Sequence, residues 1–145
     1  MTQTLPVHII RRYTDDDYEA VESILRSNHQ FDEIWDHREN LASMVTNDPD
    51  SVLVAETDGH VVGNVIITGY GAHIAYLFRL SVREGHKNRG VGTRLLDTAC
   101  EILKKRGTRE VSLIVDASRE ELKEYYKRRG YSTSGRTFIY MTKGL

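Results

Sequence analysis

The sequence predicts an α/β (α+β) fold, a mixed and mostly antiparallel sheet flanked by helices, and three observations carry that prediction. Two strongly β-forming runs, residues 52–56 and 61–68, flank Asp58-Gly59, a two-residue hairpin signal. A third β-rich run covers residues 75–82. After a glycine-containing loop, Val91, Leu95, Leu96, Ala99, Cys100 and Leu103 then recur at the spacing of one helix face.

The remaining elements follow in order. Residues 7–10 form a short β-rich run, taken as the first strand. Thr14 before Asp15, Asp16 and Asp17 reads as a helix entry, with a capping hydroxyl and acids near the positive end of the helix dipole. Val21, Ile24 and Leu25 continue that helix to about Ser27. The stretch 28–36 is polar with two aromatics, Phe31 and Trp35, and lacks periodicity, so it reads as a loop or short helix. A second helix is expected over residues 37–46, before Asp48-Pro49. Gly69 and Gly71 end the strand of the hairpin. Lys104-Lys105-Arg106-Gly107 has the basic last turn and glycine stop of a helix C-terminus. Residues 111–115 are expected as a strand, 118–129 as a helix ending at Gly130, and 137–142 as a last strand, with one more short strand at Tyr131. The expectation is thus six to seven strands and about four helices in one domain, 1–145.

Bulk properties narrow the function. A chain of 145 residues suits one domain, and 39% apolar with 28% charged residues is an ordinary balance. With a net charge of −1 there is no global field to recruit nucleic acid or an anionic membrane, so neither is expected as a partner. Cys100 is the single cysteine and cannot make an internal disulfide. No apolar run approaches the ~18 residues of a membrane span, and the start of the chain has no secretory h-region. A cytoplasmic protein, monomer or homodimer, is expected. The six histidines include no pair at metal-ligating helical spacing, so no metal is expected.

The chemistry-bearing segment is Lys87-Asn88-Arg89-Gly90-Val91-Gly92-Thr93, between a strand and a helix. Two glycines let the backbone approach a ligand closely, and the following helix presents unpaired N–H groups and a positive dipole end to an anion. Lys87, Arg89 and Arg94 add positive charge. A Walker loop would need Gly-Lys-Ser/Thr where this chain has Gly-Thr-Arg. A dinucleotide fingerprint would need three glycines near the start of the domain. A diphosphate cradle of another kind, or a plain tight turn, remains.

The wider pattern resembles a known family. Leu80-Ser81-Val82 followed by Lys87 to Gly92 and Leu95-Leu96 resembles motif A of the GNAT (Gcn5-related) acetyltransferases, written Arg/Gln-x-x-Gly-x-Gly/Ala after a Leu-x-Val strand. Glu124 to Tyr131 resembles motif B, Tyr-x-x-x-Gly-Phe, with Tyr126, Gly130 and Tyr131 in the marked places. The resemblance implies an N-acetyltransferase that moves an acetyl group from acetyl-CoA to a primary amine by direct attack in a ternary complex. It implies that strands 75–82 and 111–115 splay apart. Backbone groups of Leu80, Ser81 and Val82 would then pair with the pantetheine arm, and N–H groups from Asn88 through Arg89, Gly90, Val91 and Gly92 to Thr93 would hold the pyrophosphate. Tyr126 would be the general acid toward the departing thiolate, its phenol pKa of about 10 suiting that task.

The chain departs from the family pattern in places. Lys87 stands where Arg or Gln is usual, and Arg119 where an asparagine often contacts the cofactor arm; a cation there would reach a phosphate. The two positions that carry a glutamate base in some members are Tyr76 and Ile114. Water, Glu33, Asp32 or His73 are the substitutes. The stretches 28–35 and 132–136 would frame the acceptor, with Asp32, Glu33 and Asp36 favouring a cation and Phe31 and Trp35 forming an apolar wall. Alternatives are a protein N-terminal or lysine acetyltransferase, a different acyl donor or nucleophile, and a non-catalytic CoA-binding regulatory module.

Overall fold

The computed structural model describes residues 7–69 and 71–145. The chain divides into two compact units, Met1–Leu113 and Ile114–Leu145. The first contains β1 (Ile9–Arg12), a 3-10 turn (Asp15–Asp17), α1 (Tyr18–Ser27), α2 (Arg38–Asn47), β2 (Val52–Thr57), β3 (His60–Thr68), β4 (Ile74–Val82), α3 (Val91–Lys105) and β5 (Glu110–Leu113). These strands form one five-stranded sheet in the order β1-β2-β3-β4-β5. The first three pairings are antiparallel and β4–β5 is parallel.

The register assigns the faces. A Cβ at Gly63 would lie 2.9 Å from the Ser81 carbonyl oxygen, 3.1 Å from Val91 Cγ1 and 3.2 Å from Leu95 Cδ1, so Gly63 is where α3 beds onto the sheet. Only a residue without a side chain fits there. Its cross-strand partner Val82 shares that face, while Asn64, Ile66 and their partners Ser81 and Phe78 point to the other. The other face carries α1 and α2: Val21, Ile24, Leu25 and Leu41 pack with Val52, Val54 and Ile66, and Phe78 joins at the edge.

The second unit contains α4 (Glu120–Lys127). The strand expected over 137–142 and the short one at Tyr131 are not formed, which leaves five strands among the described residues rather than six to seven. A strand exists only as one side of a ladder, and within its own unit this segment has no other strand to pair with. The strand expected at 111–115 ends at Leu113, and the helix expected from 118 begins at Glu120 after Ser118 closes a turn on the Asp116 carboxylate.

Candidate active site

Two irregularities of β4 shape the site. Asn64 pairs with Ser81 and Ile66 with Phe78, so two steps on β3 face three on β4, and the extra residue makes a β-bulge. Arg79 sits in it with φ 54°, a region that side chains other than glycine avoid. Asn64, fully buried, donates from Nδ2 to the Arg79 carbonyl at 2.8 Å. The Arg79 Nε donates to both oxygens of Asp36 at 3.1 Å, and Asp36 is 0% exposed. The second irregularity is where the ladder ends. Pairing with β5 stops at Leu77↔Leu113 while β4 runs on to Val82. Phe78–Val82 therefore face an open edge within this unit, and Leu80, Ser81 and Val82 lie on it.

Beyond Val82 the chain enters the anion-loop segment. Asn88 and Gly90 both take positive φ, 63° and 83°. Gly90 is the N-cap of α3, makes no side-chain cap, and would have open space around a Cβ. The first intrahelical bond runs from Arg94 N–H to the Gly90 carbonyl. The N–H groups of Val91 and Gly92 in the first turn therefore have no intrahelical acceptor. No acid lies in that turn. Val91 itself points into the core, 1% exposed, so only its backbone serves the loop. Lys87 reaches Glu84 at 3.3 Å, and Arg89 and Arg94 are exposed. His8 steadies the loop: a carbonyl can only accept, so Nε2 donates to the Arg89 carbonyl at 3.3 Å while Nδ1 accepts from the Thr57 hydroxyl at 2.6 Å. These features fit a diphosphate: a backbone turned at Asn88 and Gly90, a helix start with no side-chain cap, and nearby cations.

Tyr126 and Arg119 belong to the second unit. Tyr126 packs edge-on between Tyr125 at 5.2 Å and Tyr131 at 5.5 Å. Burial, with a smaller push from Tyr125, raises its phenol to about 12, so it stays protonated and able to donate at neutral pH. Arg119 is the N-cap of α4, and its Nε pairs with Glu121.

The family model described as the acetyltransferase (GNAT) family matches residues 10–131, across both units. The chain belongs to the GNAT acetyltransferase family. An acetyltransferase of Pectobacterium atrosepticum is 28% identical over 86% of this chain and 87% of its own length. One from Photorhabdus laumondii is 32% identical over 73% of each. Among solved structures, a PaiA N-acetyltransferase from Thermoplasma acidophilum in complex with coenzyme A superposes with TM-score 0.79 at 19% identity, over 90% of this chain and 93% of that one. Ard1 from Thermoplasma volcanium gives 0.78 at 23% identity, over 88% and 84%. As a GNAT member the chain is an acetyl-CoA-dependent acetyltransferase. Among the described residues no cluster of three or more His, Cys, Asp or Glu is placed to hold a metal ion, and no helix is long and apolar enough to cross a membrane.

Sequence reasoning took Asp36 for an acid of the acceptor site and missed the amides of the 28–36 loop. Asp36 is a buried anchor: its carboxylate holds Arg79 and accepts the Asp32 N–H at 2.8 Å, and its carbonyl accepts the Tyr18 hydroxyl at 3.1 Å. The Asp32 carboxylate accepts the N–H groups of Ile34 and Trp35. Glu33 meets Arg26 at 3.2 Å. Asn28 Nδ2 reaches the Ser81 hydroxyl at 2.6 Å and the Val82 carbonyl at 2.9 Å, and Gln30 Nε2 lies 3.5 Å from the Leu80 carbonyl. The loop is thus tied to the open half of β4. One signal was visible beforehand: Asn64, a lone amide inside an apolar strand, had to be bonding something.

Proposed function

We propose that the chain transfers the acetyl group of acetyl-CoA to a primary amine by direct attack in a ternary complex, the two units acting as one N-acetyltransferase domain over 1–145. The observation that carries this reading is the open half of β4 leading directly into the uncapped start of α3. In this reading Leu80, Ser81 and Val82 offer main-chain groups to the pantetheine arm as a neighbouring strand would. N–H groups from Asn88 to Thr93, helped by Lys87 and Arg89, hold the pyrophosphate, and Arg119 reaches a phosphate. The acetyl thioester supplies an activated acyl group. Main-chain N–H groups past the bulge stand ready to polarise its carbonyl.

Tyr126 is the proposed acid toward the thiolate. Its raised pKa keeps the proton in place, so activity should not fall with Tyr126 ionisation until pH approaches 12. The amine loses its proton to water or to Asp32, Glu33 or His73, side chains that lie at the surface, since Asp36 is buried against Arg79. Homologues named as acetyltransferases weigh against a non-catalytic CoA-binding module.

Thiol release from acetyl-CoA with a panel of amines tests the reading. Acceptor-dependent release is expected, falling about a hundredfold in kcat for Tyr126→Phe. A melting temperature indifferent to CoA would overturn the donor site.

A further inference from the structure

From the residues around the reacting end of β4, we infer that the acceptor is a primary amine carried on an aromatic or other bulky apolar group. This rests on the reading of β4 as the donor edge. The anion loop follows Val82, so an arm running back along β4 brings the acetyl end toward Phe78. Phe78 is the first residue past the last β5 pair. On the face opposite α3, Tyr76 and Phe78 stand in a row with ring centroids 6.3 Å apart, and Trp35 from the 28–36 loop lies 5.7 Å from Phe78. Tyr76 is 36% exposed, and Ile34, next to Trp35, is 82% exposed. This apolar row runs continuously from the acetyl end of the proposed arm.

Of the loop acids, Asp36 is buried against Arg79, while Asp32 and Glu33 lie at the surface, Asp32 capping two N–H groups and Glu33 beside Arg26. They can meet the charge of an amine at the rim, but the row that takes up the rest of the acceptor is aromatic. An amine on an apolar group removes Tyr76, Phe78 and Trp35 from water and leaves the nitrogen at the thioester end.

Initial rates of thiol release at saturating acetyl-CoA, with 2-phenylethylamine, spermidine and a lysine-containing peptide, test the inference. The arylalkylamine is expected to show a kcat/KM at least about tenfold above the other two. Trp35 is the single tryptophan, so its emission reports the site directly. Titration of 2-phenylethylamine into the CoA-bound enzyme should shift that emission, and spermidine should not. Trp35→Ala, and Tyr76→Ala at a partly exposed position of the row, should raise the KM for 2-phenylethylamine several-fold and leave that for acetyl-CoA unchanged. A preference for spermidine or the peptide, or an unmoved KM in Tyr76→Ala, overturns the inference and leaves amine transfer standing. No turnover with any of the three overturns both.

Discussion

The two flanks of β4 are made of different material. On the α3 side the site is almost entirely main chain: Gly63 admits the helix, Gly90 turns the chain, and Val91 buries its side chain while its backbone stays at the loop. On the α1 side it is side chain: Asn28, Gln30, Asn64 and Asp36 bond across to β4, and Trp35 packs on Phe78. A site made of backbone can serve one ligand only, since its geometry changes little with sequence. A site made of side chains can be re-specified by substitution. In the reading proposed above, the donor half is thus set by main chain and the acceptor half by side chains.

Substitutions on each flank should separate the two halves. The largest effect is expected for Asp36→Ala, which leaves the Arg79 guanidinium, only 22% exposed, without its partner. A loss of about 3 kcal/mol in denaturant unfolding is expected, toward the low end for a broken buried pair. Acceptor KM should rise while CoA affinity holds. Next comes Gly63→Ala, whose added methyl presses on the Ser81 carbonyl and on Val91. About 2 kcal/mol should be lost, and here CoA affinity should fall while acceptor KM holds. If either variant moves the other ligand's constant, the division between the flanks is wrong.

The smallest effect is set by pH. Burial alone would raise the Asp17 carboxyl, but the Arg11 guanidinium and the Thr14 N–H outweigh it and hold its pKa below the usual carboxylate range. A depressed pKa gives stability that is present above about pH 4 and is lost as pH falls through the lowered value. The entry to α1 should therefore lose hydrogen-exchange protection on acidification. The entry to α3 has no acid in its first turn and should not follow it. Equal loss at both helices would remove the contrast.

The same difference explains what was legible in the sequence. The hairpin at Asp58-Gly59, the helix Val91–Lys105 and the loop between Lys87 and Thr93 announce themselves through glycine, periodicity and β-branched residues, all local signals. The Asp36–Arg79 pair joins residues 43 positions apart, and Asn28 to Ser81 spans 53, so no local pattern marks either. Asp36 reads as an acid facing the acceptor because a carboxylate carries no sign of what it will bond. The segment 137–142 fails for another reason: its composition is that of a strand, but strand formation depends on a partner that composition does not contain.

The extra residue at Arg79 also acts as a change of phase. Before it, Tyr76 and Phe78 face α1; after it, the odd-numbered Ser81 does. Side-chain parity along β4 is therefore reset in mid-strand, so that Leu80-Ser81-Val82 and Tyr76-Leu77-Phe78 are read in different frames. Removing Arg79 would restore plain alternation, with Leu80 opposite Val65 and with Phe78, Ser81 and Val82 on the faces they already hold. What would go is the kink in the strand and the tie from Arg79 to Asp36. In this chain position 79 behaves like a punctuation mark: its place in the count matters as much as its side chain.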